Sequence, residues 1–461
     1  MSYQPYPTVG AAYPLGQPPT DEDLQANHLP PLRGPSYRGE ILAAQVPLTP
    51  RQQAERDLQT LESSYSGWIG GTASARYRSG TVGLDRLTDL ESTVEASATI
   101  SNSVRLTVIP KTVFLNSGTL DTTQYAGLTG GGVPVLGTLT ANAANGPTPQ
   151  NASGIGGELQ VTARRFAASI GYTPYQFLVQ NYVGSLLFKP SQHFTLSVNR
   201  ESITETQLSY AGLRDPGTVS GVFAGNIWGG VIKTGGGIRF DLGDERAGFY
   251  ISADGGDISG YHVLENTKFE GSAGAYFLAH TFPGYGKINV GASIFGMHFS
   301  QNERGLSYGM GGYFSPDAYF LASIPVTFTG KYGKDFHYTV AGNVGVQTFQ
   351  ESSQLLFPLD RATQSSYETV NCTNSQVAAR SCGYLPVNSN TGANYGFNAE
   401  GSYRITDHWF GGGYISANNT NNYNTVTGGF FVRYLFRPQT IIDDTPTGLF
   451  PVEGFRPLQV P

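Results

Sequence analysis

Few residues in this chain are spaced for covalent chemistry. Ser307 stands at the centre of "GLSYG" (305 to 309), a match to the G-x-S-x-G nucleophile elbow. Such an elbow needs a strand, a sharp turn and a helix around the serine, with a base within reach. Here the match falls in a loop with no such elements and no convincing Ser–His pair, so it reads as chance. The seven histidines are scattered and none has metal-ligand spacing. No phosphate-binding "GxxxxGK[ST]" occurs, so no energy source is visible. Cys372 and Cys382 fall in one predicted loop, where a local disulfide fits better than catalysis or metal binding. The residues thus point away from an enzyme and call for no cofactor.

The elements that position these residues are strands. "FHYTVAGNVGVQTF" (336 to 349) places Phe336, Tyr338, Val340, Val344 and Val346 on one face and His337, Thr339, Ala341, Asn343, Gly345 and Gln347 on the other. Val104, Leu106 and Val108 likewise oppose Arg105 and Thr107. Leu159, Val161 and Ala163 oppose Glu158, Gln160, Thr162 and Arg164. Ile288, Val290, Ala292 and Ile294 oppose Asn289, Gly291 and Ser293. Between Gly67 and Arg437 sixteen such segments occur, many of ten residues or more, the length a tilted membrane-crossing strand needs. Alternate connections are tight, at 101–103, 190–193, 243–246, 283–286, 332–335 and 406–407. Those between them are mostly long, at 117–153, 203–227, 301–317 and 351–392, with a short exception near 420. This is the plan of an all-β, up-and-down transmembrane barrel of about sixteen strands with both termini on the periplasmic side. The apolar faces then meet lipid, aromatics near strand ends (Phe336, Tyr338, Trp409, Phe410, Tyr434, Phe436) form interfacial girdles, and the width allows an aqueous channel.

Composition agrees. Charged residues make up 13%, and 60 Gly, 27 Tyr and 26 Phe favour strands and turns over solvated helices. A net charge of −6 with no Lys/Arg-rich face argues against nucleic acid. Residues 1–48 read as a Pro-rich linker, 49–66 as a short helix leading into the barrel at 67–437, and 438–461 as a Pro-rich tail. "NAANGPTPQNASG" looks like a surface insertion. The first residues lack the basic and apolar regions of a signal peptide, so the expectation is a piece of a longer exported chain.

"LSYAGLRDPGT" (208 to 218), "WGGVIKTGG" (228 to 236) and "GGYFSPDAYF" (311 to 320) resemble the C-terminal domain of cellulose synthase operon protein C. The resemblance covers roughly residues 60 to 437. It implies an outer-membrane barrel through which nascent β-1,4-glucan leaves the cell, with a periplasmic tetratricopeptide scaffold and a synthase complex as partners. No 34-residue helical repeat occurs in the sequence given, where only 49 to 63 could be a remnant. "TGGFFVRY", with Thr427, Gly429, Val432 and Tyr434, resembles the terminal signal read by the outer-membrane assembly machinery.

A neutral, hydroxyl-rich glucan needs a path of exchanging hydrogen bonds and flat aromatic faces, each contact weak enough to release the chain. The expectation is passive translocation driven by synthesis at the inner membrane. Tyr210, Arg214 and Asp215 on one surface loop, and Tyr313, Phe314 and Asp317 on another, are the candidates for the path and its gate. "RDPG" and "SPD" are also ordinary turn chemistry, so loop architecture, with an Arg–Asp pair fixing it, is the competing reading. Trp228 and Tyr319 could stack on sugar, and for Trp228 the lipid-facing girdle is the favoured alternative. The two loops suit the main gate and the tail a secondary one. A general diffusion porin and a barrel enzyme are the competing functions.

Overall fold

The computed structural model describes residues 66–438, apart from 102–103, 120–148, 164, 216–222, 224, 245, 334, 373–382 and 421–422. The expected linker, the helix up to residue 65, the tail beyond 438 and Cys382 lie outside the described residues.

The first half of the chain gives seven wall strands: β1 (Trp68–Arg78), β2 (Leu87–Ser101), β3 (Val104–Thr119), β4 (Pro149–Ala163), β5 (Phe166–Tyr172), β6 (Tyr182–Ser191) and β7 (Phe194–Ser202). Helix α1 (Gln207–Ala211) and the two-residue β8 (Leu213–Arg214) follow inside the next connection. The wall resumes with β9 (Ile227–Gly243), β10 (Ala247–Tyr261), β11 (Asn266–Phe282), β12 (Gly286–Phe299), β13 (Ala318–Tyr332) and β14 (Phe336–Glu351). A long connection then carries β15 (Gln354–Leu355), helix α2 (Arg361–Asn371) and β16 (Tyr384–Leu385). The last wall strands are β17 (Asn388–Arg404), β18 (Trp409–Asn419) and β19 (Asn424–Leu435).

Each wall strand pairs antiparallel with its chain neighbours, and β19 pairs along its length with β1, from Trp68↔Leu435 to Arg78↔Thr425. Leaving out β8, β15 and β16, the sheet is a closed barrel of sixteen strands. Closure satisfies every strand edge internally, the condition for a sheet in hydrocarbon. Short connections (164–165, 192–193, 244–246, 283–285, 333–335, 405–408) gather at the end where β1 begins and β19 stops. The long ones gather at the other end, as the alternating pattern predicted. In outer-membrane barrels the short-turn end faces the periplasm.

Alternation sets the two faces. On β14, Val340, Val344 and Val346 are exposed on the outer wall, and Val344 keeps 63% of its surface. Ala341, Asn343 and Gln347 point inward and are buried. The same division holds on β2, where Leu90 and Val94 face out while Asp89, Glu91, Thr93 and Glu95 face in. An apolar exterior around a polar interior makes this a multi-pass outer-membrane barrel.

The aromatic expectations need one correction. Trp409 and Phe436 are exposed on the outer wall, whereas Phe410 is 1% exposed and faces inward, as its place next to Trp409 in an alternating strand requires. The sequence also failed to announce α1 and α2. Thr206 caps α1, accepting from the Ser209 N–H while the Ser209 hydroxyl accepts from the Thr206 N–H. Asp360 caps α2 through the Ala362 and Thr363 N–H groups.

Candidate functional site

The inward faces of the strands divide into two levels. At the long-loop end they carry charge matched by charge. Arg76 lies 3.0 Å from Asp89, Lys111 2.7 Å from Glu91, and Lys268 2.7 Å from Glu270, all buried. Lys233 sits between Asp254 and Glu201. Near the same end the inward positions of β12, β13 and β14 change from polar to apolar: Phe295, Met297, Phe299, Tyr319, Leu321 and Phe349 are all buried. They are covered because residues 203–215 and 300–317 fold back inside the wall and pack on them.

Each loop is tied to the wall and to the other. The Arg76 guanidinium donates to the Thr204 carbonyl at 2.7 Å. Arg78, stacked 3.8 Å from the Tyr423 ring centroid, reaches Glu205 at 3.7 Å. The same Glu205 oxygen accepts from the Phe314 N–H at 2.9 Å, and the Thr206 hydroxyl donates to the Gly312 carbonyl at 2.8 Å. Gly312 has φ +71, and a Cβ there would meet Leu208, Leu306 and Thr206 at 2.9–3.1 Å, so only glycine fits this crossing without strain.

The six gating candidates fall as follows. Tyr210 is buried in α1 against Phe177, ring centroids 5.1 Å apart, with the Lys111 ammonium 5.9 Å from its ring. Tyr313 and Phe314 are buried at the loop crossing. The Tyr313 hydroxyl accepts from Asn266 at 2.9 Å, and the Phe314 ring meets Phe349 at 5.2 Å. Asp215 is buried where its N–H donates to the Asn226 carbonyl at 2.8 Å. Arg214 is exposed and donates to the Gly225 carbonyl at 2.9 Å. Asp317 is half-buried and accepts from the Ser352 hydroxyl at 3.0 Å. The structure therefore buries all three aromatics, Tyr313 and Phe314 in one apolar cluster and Tyr210 in a second with Leu87, Leu115 and Phe177, and leaves Arg214 exposed.

Trp228 does not lie in the lipid-facing girdle. It is 0% exposed, inside the packed loops and 5.7 Å from the Tyr308 ring. Tyr319 is 3% exposed and its hydroxyl donates to Gln347 at 2.7 Å. With these loops in place neither ring offers an open face to a sugar. Ser307 is buried and donates to the Leu356 carbonyl, an architectural use of its hydroxyl. Cys372 ends α2 and is disulfide-bonded, while its expected partner Cys382 lies outside the described residues.

Sequence reasoning missed Glu205 and Glu303, both buried carboxylates of the loops. Glu303 is 0% exposed; its carboxylate accepts from the Gly311 N–H at 2.8 Å and its carbonyl from the Gly312 N–H at 2.7 Å. Burial pushes its carboxyl well above the usual range, only partly offset by the Gly311 hydrogen bond. Sequence reasoning also missed the third partner, loop 352–387, where Leu356, Phe357 and Leu385 pack with Phe223 and Met310. Nothing in the local sequence marks these residues, since each acts across more than fifty positions or within a loop of ordinary composition.

Residues 85–437 match the family described as cellulose synthase operon protein C C-terminus. The protein is 28% identical over 394 residues to cellulose synthase operon protein C of Pseudomonas fluorescens (strain SBW25), covering 83% of this chain and 28% of that one. It is 29% identical over 428 residues to the protein of that name from Komagataeibacter sucrofermentans, covering 82% and 32%. The chain thus spans less than a third of the length of these relatives. A solved structure described as a bacterial polysaccharide outer membrane secretin is similar with a TM-score of 0.47 and 10% identity, over 81% of this chain and 99% of that one. With the family match running through β2 to β19 and both inward-folded loops, the chain belongs to the cellulose synthase operon protein C C-terminus family.

Proposed function

We propose that this barrel is an outer-membrane channel for export of an exopolysaccharide, with nascent cellulose as the cargo and passive translocation driven by synthesis at the inner membrane. Family membership is the observation that carries the reading. The interior supports it: below the packed loops the wall carries hydroxyl and amide pairs, among them Ser293–Ser323 at 2.9 Å and Ser252–Ser272 at 2.7 Å. Groups of this kind exchange hydrogen bonds with a sugar chain without trapping it. The printed names of the relatives tie the family to cellulose synthase operons. A periplasmic tetratricopeptide scaffold and a synthase complex are the partners this reading adds, alongside outer-membrane lipid and the assembly machinery that would read β19.

In the same reading the loops are the gate and this conformation is closed. Tyr210, Tyr313 and Phe314 supply the bulk, with Asp215 and Asp317 anchoring the loop bases and Arg214 at the rim. Planar-bilayer recordings test the proposal. Deleting residues 203–218 or 305–317 should raise single-channel conductance, truncation after Arg437 should raise it less, and cello-oligosaccharide should then block the current. Current through the open barrel that ignores cello-oligosaccharide while passing small solutes indicates a diffusion porin and refutes the export reading. Hydrolysis of lipid or peptide by the purified barrel would instead mark an enzyme.

A further inference from the structure

Among the described residues of the wall strands, two charged side chains turn outward: Arg200 on β7 and Asp257 on β10. Every other Asp, Glu, Lys and Arg of those strands falls on the lumen face by alternation. The two belong to one row, since register pairs Arg200 with Thr234 of β9 and Thr234 with Asp257. Arg200 is exposed, and donates from Nε to the Tyr182 carbonyl at 3.1 Å and from Nη1 to the Thr234 hydroxyl at 2.7 Å. Asp257 is exposed as well. Below the row the outer wall is apolar, with Leu196, Val198, Ile238 and Ile251 exposed. Above it the outward positions of β7 and β10 turn polar, at Ser202 and Ser259.

The row lies low on the wall. A strand tilted by about 40° climbs about 2.6 Å per residue. On β7 and β9 the row stands six residues above the paired aromatics Phe194 and Phe240, about 16 Å at that climb. On β10, Asp257 stands eight above Phe249, about 21 Å. β5 and β6 agree: the registered pairs Phe166–Phe188 and Tyr172–Tyr182 are also six residues apart. Beyond Tyr172 the chain leaves the wall and turns in, with Thr173 and Phe177 buried. Elsewhere the band is taller. On β13 the outward face is uncharged from Tyr332 to Phe320, twelve residues or about 31 Å. On β14 it stays apolar to Val346, and Thr348 lies ten residues or about 26 Å above Tyr338. Tilting the whole barrel moves a flank up or down without changing the height of its band. The Asp257 side chain is too short to reach upward, and a charge on the lipid face is tolerated near the interface far better than in mid-membrane. Bilayers thin locally to match a short apolar span.

We infer that the flank from β5 to β10 is a lipid-docking surface that thins the outer membrane beside it and seats the outer-leaflet headgroups on the row Arg200–Thr234–Asp257. Charges of both signs in one row suit a headgroup layer rather than an isolated anion. Arg200 meets phosphate oxygens, and Asp257 meets the cationic groups that lie among them. The aromatic rings of Tyr172 and Tyr182, centroids 4.9 Å apart, mark the same lowered interface on the neighbouring strands. The uneven belt is a property of the outer wall and holds whatever cargo the lumen carries.

The test measures depth in the full chain, folded into dioleoylphosphatidylcholine vesicles. A nitroxide is attached through Thr234→Cys or through Val344→Cys, each six residues above a girdle aromatic, Phe240 and Tyr338. Labelling without reductant leaves Cys372 in its disulfide. Power saturation with a water-soluble nickel chelate and with oxygen should place the Thr234 label about 10 Å shallower than the Val344 label, four residues of climb. In an Arg200→Leu, Asp257→Leu background the Thr234 label should lose its contact with the chelate, because nothing charged then holds headgroups at that level. Should the double variant fail to fold, judged by heat-modifiable migration, Arg200→Leu alone gives the same comparison, and the two labels in the native row decide the question without it. Equal depth of the two labels overturns the thinning. A Thr234 label that is immobile and reached by neither agent shows a protein surface, such as a second copy of this chain, covering the flank, and overturns the lipid assignment. A label that stays shallow in the double variant shows that the charges do not set the depth, and overturns the role given to the row.

Discussion

Glu205 is the residue whose replacement should most clearly open the barrel. Its carboxylate joins three parts of the closed state: the wall through Arg78 at 3.7 Å, loop 300–317 through the Phe314 N–H at 2.9 Å, and its own loop. The charged groups are almost wholly buried, with side-chain exposures of 5% for Arg78 and 3% for Glu205. Breaking one side of such a buried pair costs about 3–5 kcal/mol. Glu205→Ala should therefore shift the closed-to-open ratio by at least about a hundredfold, at roughly 1.4 kcal/mol per tenfold. Glu205→Gln keeps an acceptor for the Phe314 N–H and loses the charge facing Arg78. Its effect should be smaller, about 1.5–3 kcal/mol, the range for a hydrogen bond to a charged group. Single-channel open probability reads both, with heat-modifiable migration to show that the barrel is folded. Arg214→Ala, at an exposed rim position, is the control and should leave open probability within about twofold. If folded Glu205→Ala barrels open no more often than the control, the loops are not held shut from this point, and the gate assigned to them is wrong. A double-mutant cycle with Arg78→Gln then isolates the ion pair, since Arg78 also stacks on Tyr423.

Further outcomes follow from the same geometry. Val344→Arg puts a charge on the lipid face near the middle of β14 and should destabilise the barrel by about 2–4 kcal/mol, read by urea titration in lipid vesicles. Gln350→Arg, outward but nearer the long-loop end of the same strand, should cost at most about 1 kcal/mol. Cys372 and Cys382 should resist thiol labelling in denatured, non-reduced protein taken from the outer membrane, and two free thiols would exclude the pairing. Labelling of whole cells should reach tags at 140 and 375 and miss tags at 244 and 334, and the reverse result would invert the topology. Closing buries Glu303, whose carboxyl in open loops would titrate near 4.5 and in closed loops well above it. Closure should be firmest below the open-state value and weaken as pH rises from there toward the closed-state value. Glu303→Gln should flatten that dependence in recordings of open probability, and a profile identical to the native one would remove Glu303 from the gate.

Much of the wall was legible in the sequence because lipid and lumen impose opposite chemistry on alternate residues. Val340, Val344 and Val346 had to share a face, and the strand lengths and alternating connections of the whole chain turned that face to hydrocarbon. Phe410, beside Trp409 in an alternating strand, was misplaced by neglecting that alternation, whereas Trp228 shows where the reasoning itself stops. Once loops fold inside the barrel, inward positions such as Phe295, Met297 and Phe349 are apolar as well, and an apolar residue no longer says which side it faces. The loop motifs fall in segments that fold inside the barrel, and local sequence does carry their Pro turns, glycines and aromatic bulk. They could not reveal that Thr206 meets Gly312 or that Arg78 meets Glu205. Those contacts depend on how the closed sheet sets the two loops, 106 residues apart at the Thr206–Gly312 contact, against each other and against β1.

The same sorting by depth bears on how the barrel divides its work. Buried ion pairs contribute little net stability when compared with apolar packing, yet leaving one partner alone is costly. Arg76 and Arg78 serve the wall and the loops together, so the matched level at the long-loop end ties the loops to the wall in one register. The short-turn end has only tight turns and no such loops to hold. Mutations at the two levels should therefore act independently on loop closure. Glu205→Ala combined with Lys287→Gln should add within about 0.5 kcal/mol in barrel stability, with open probability following the first change alone. A rise in open probability from Lys287→Gln alone would show the lumen responding as a single unit.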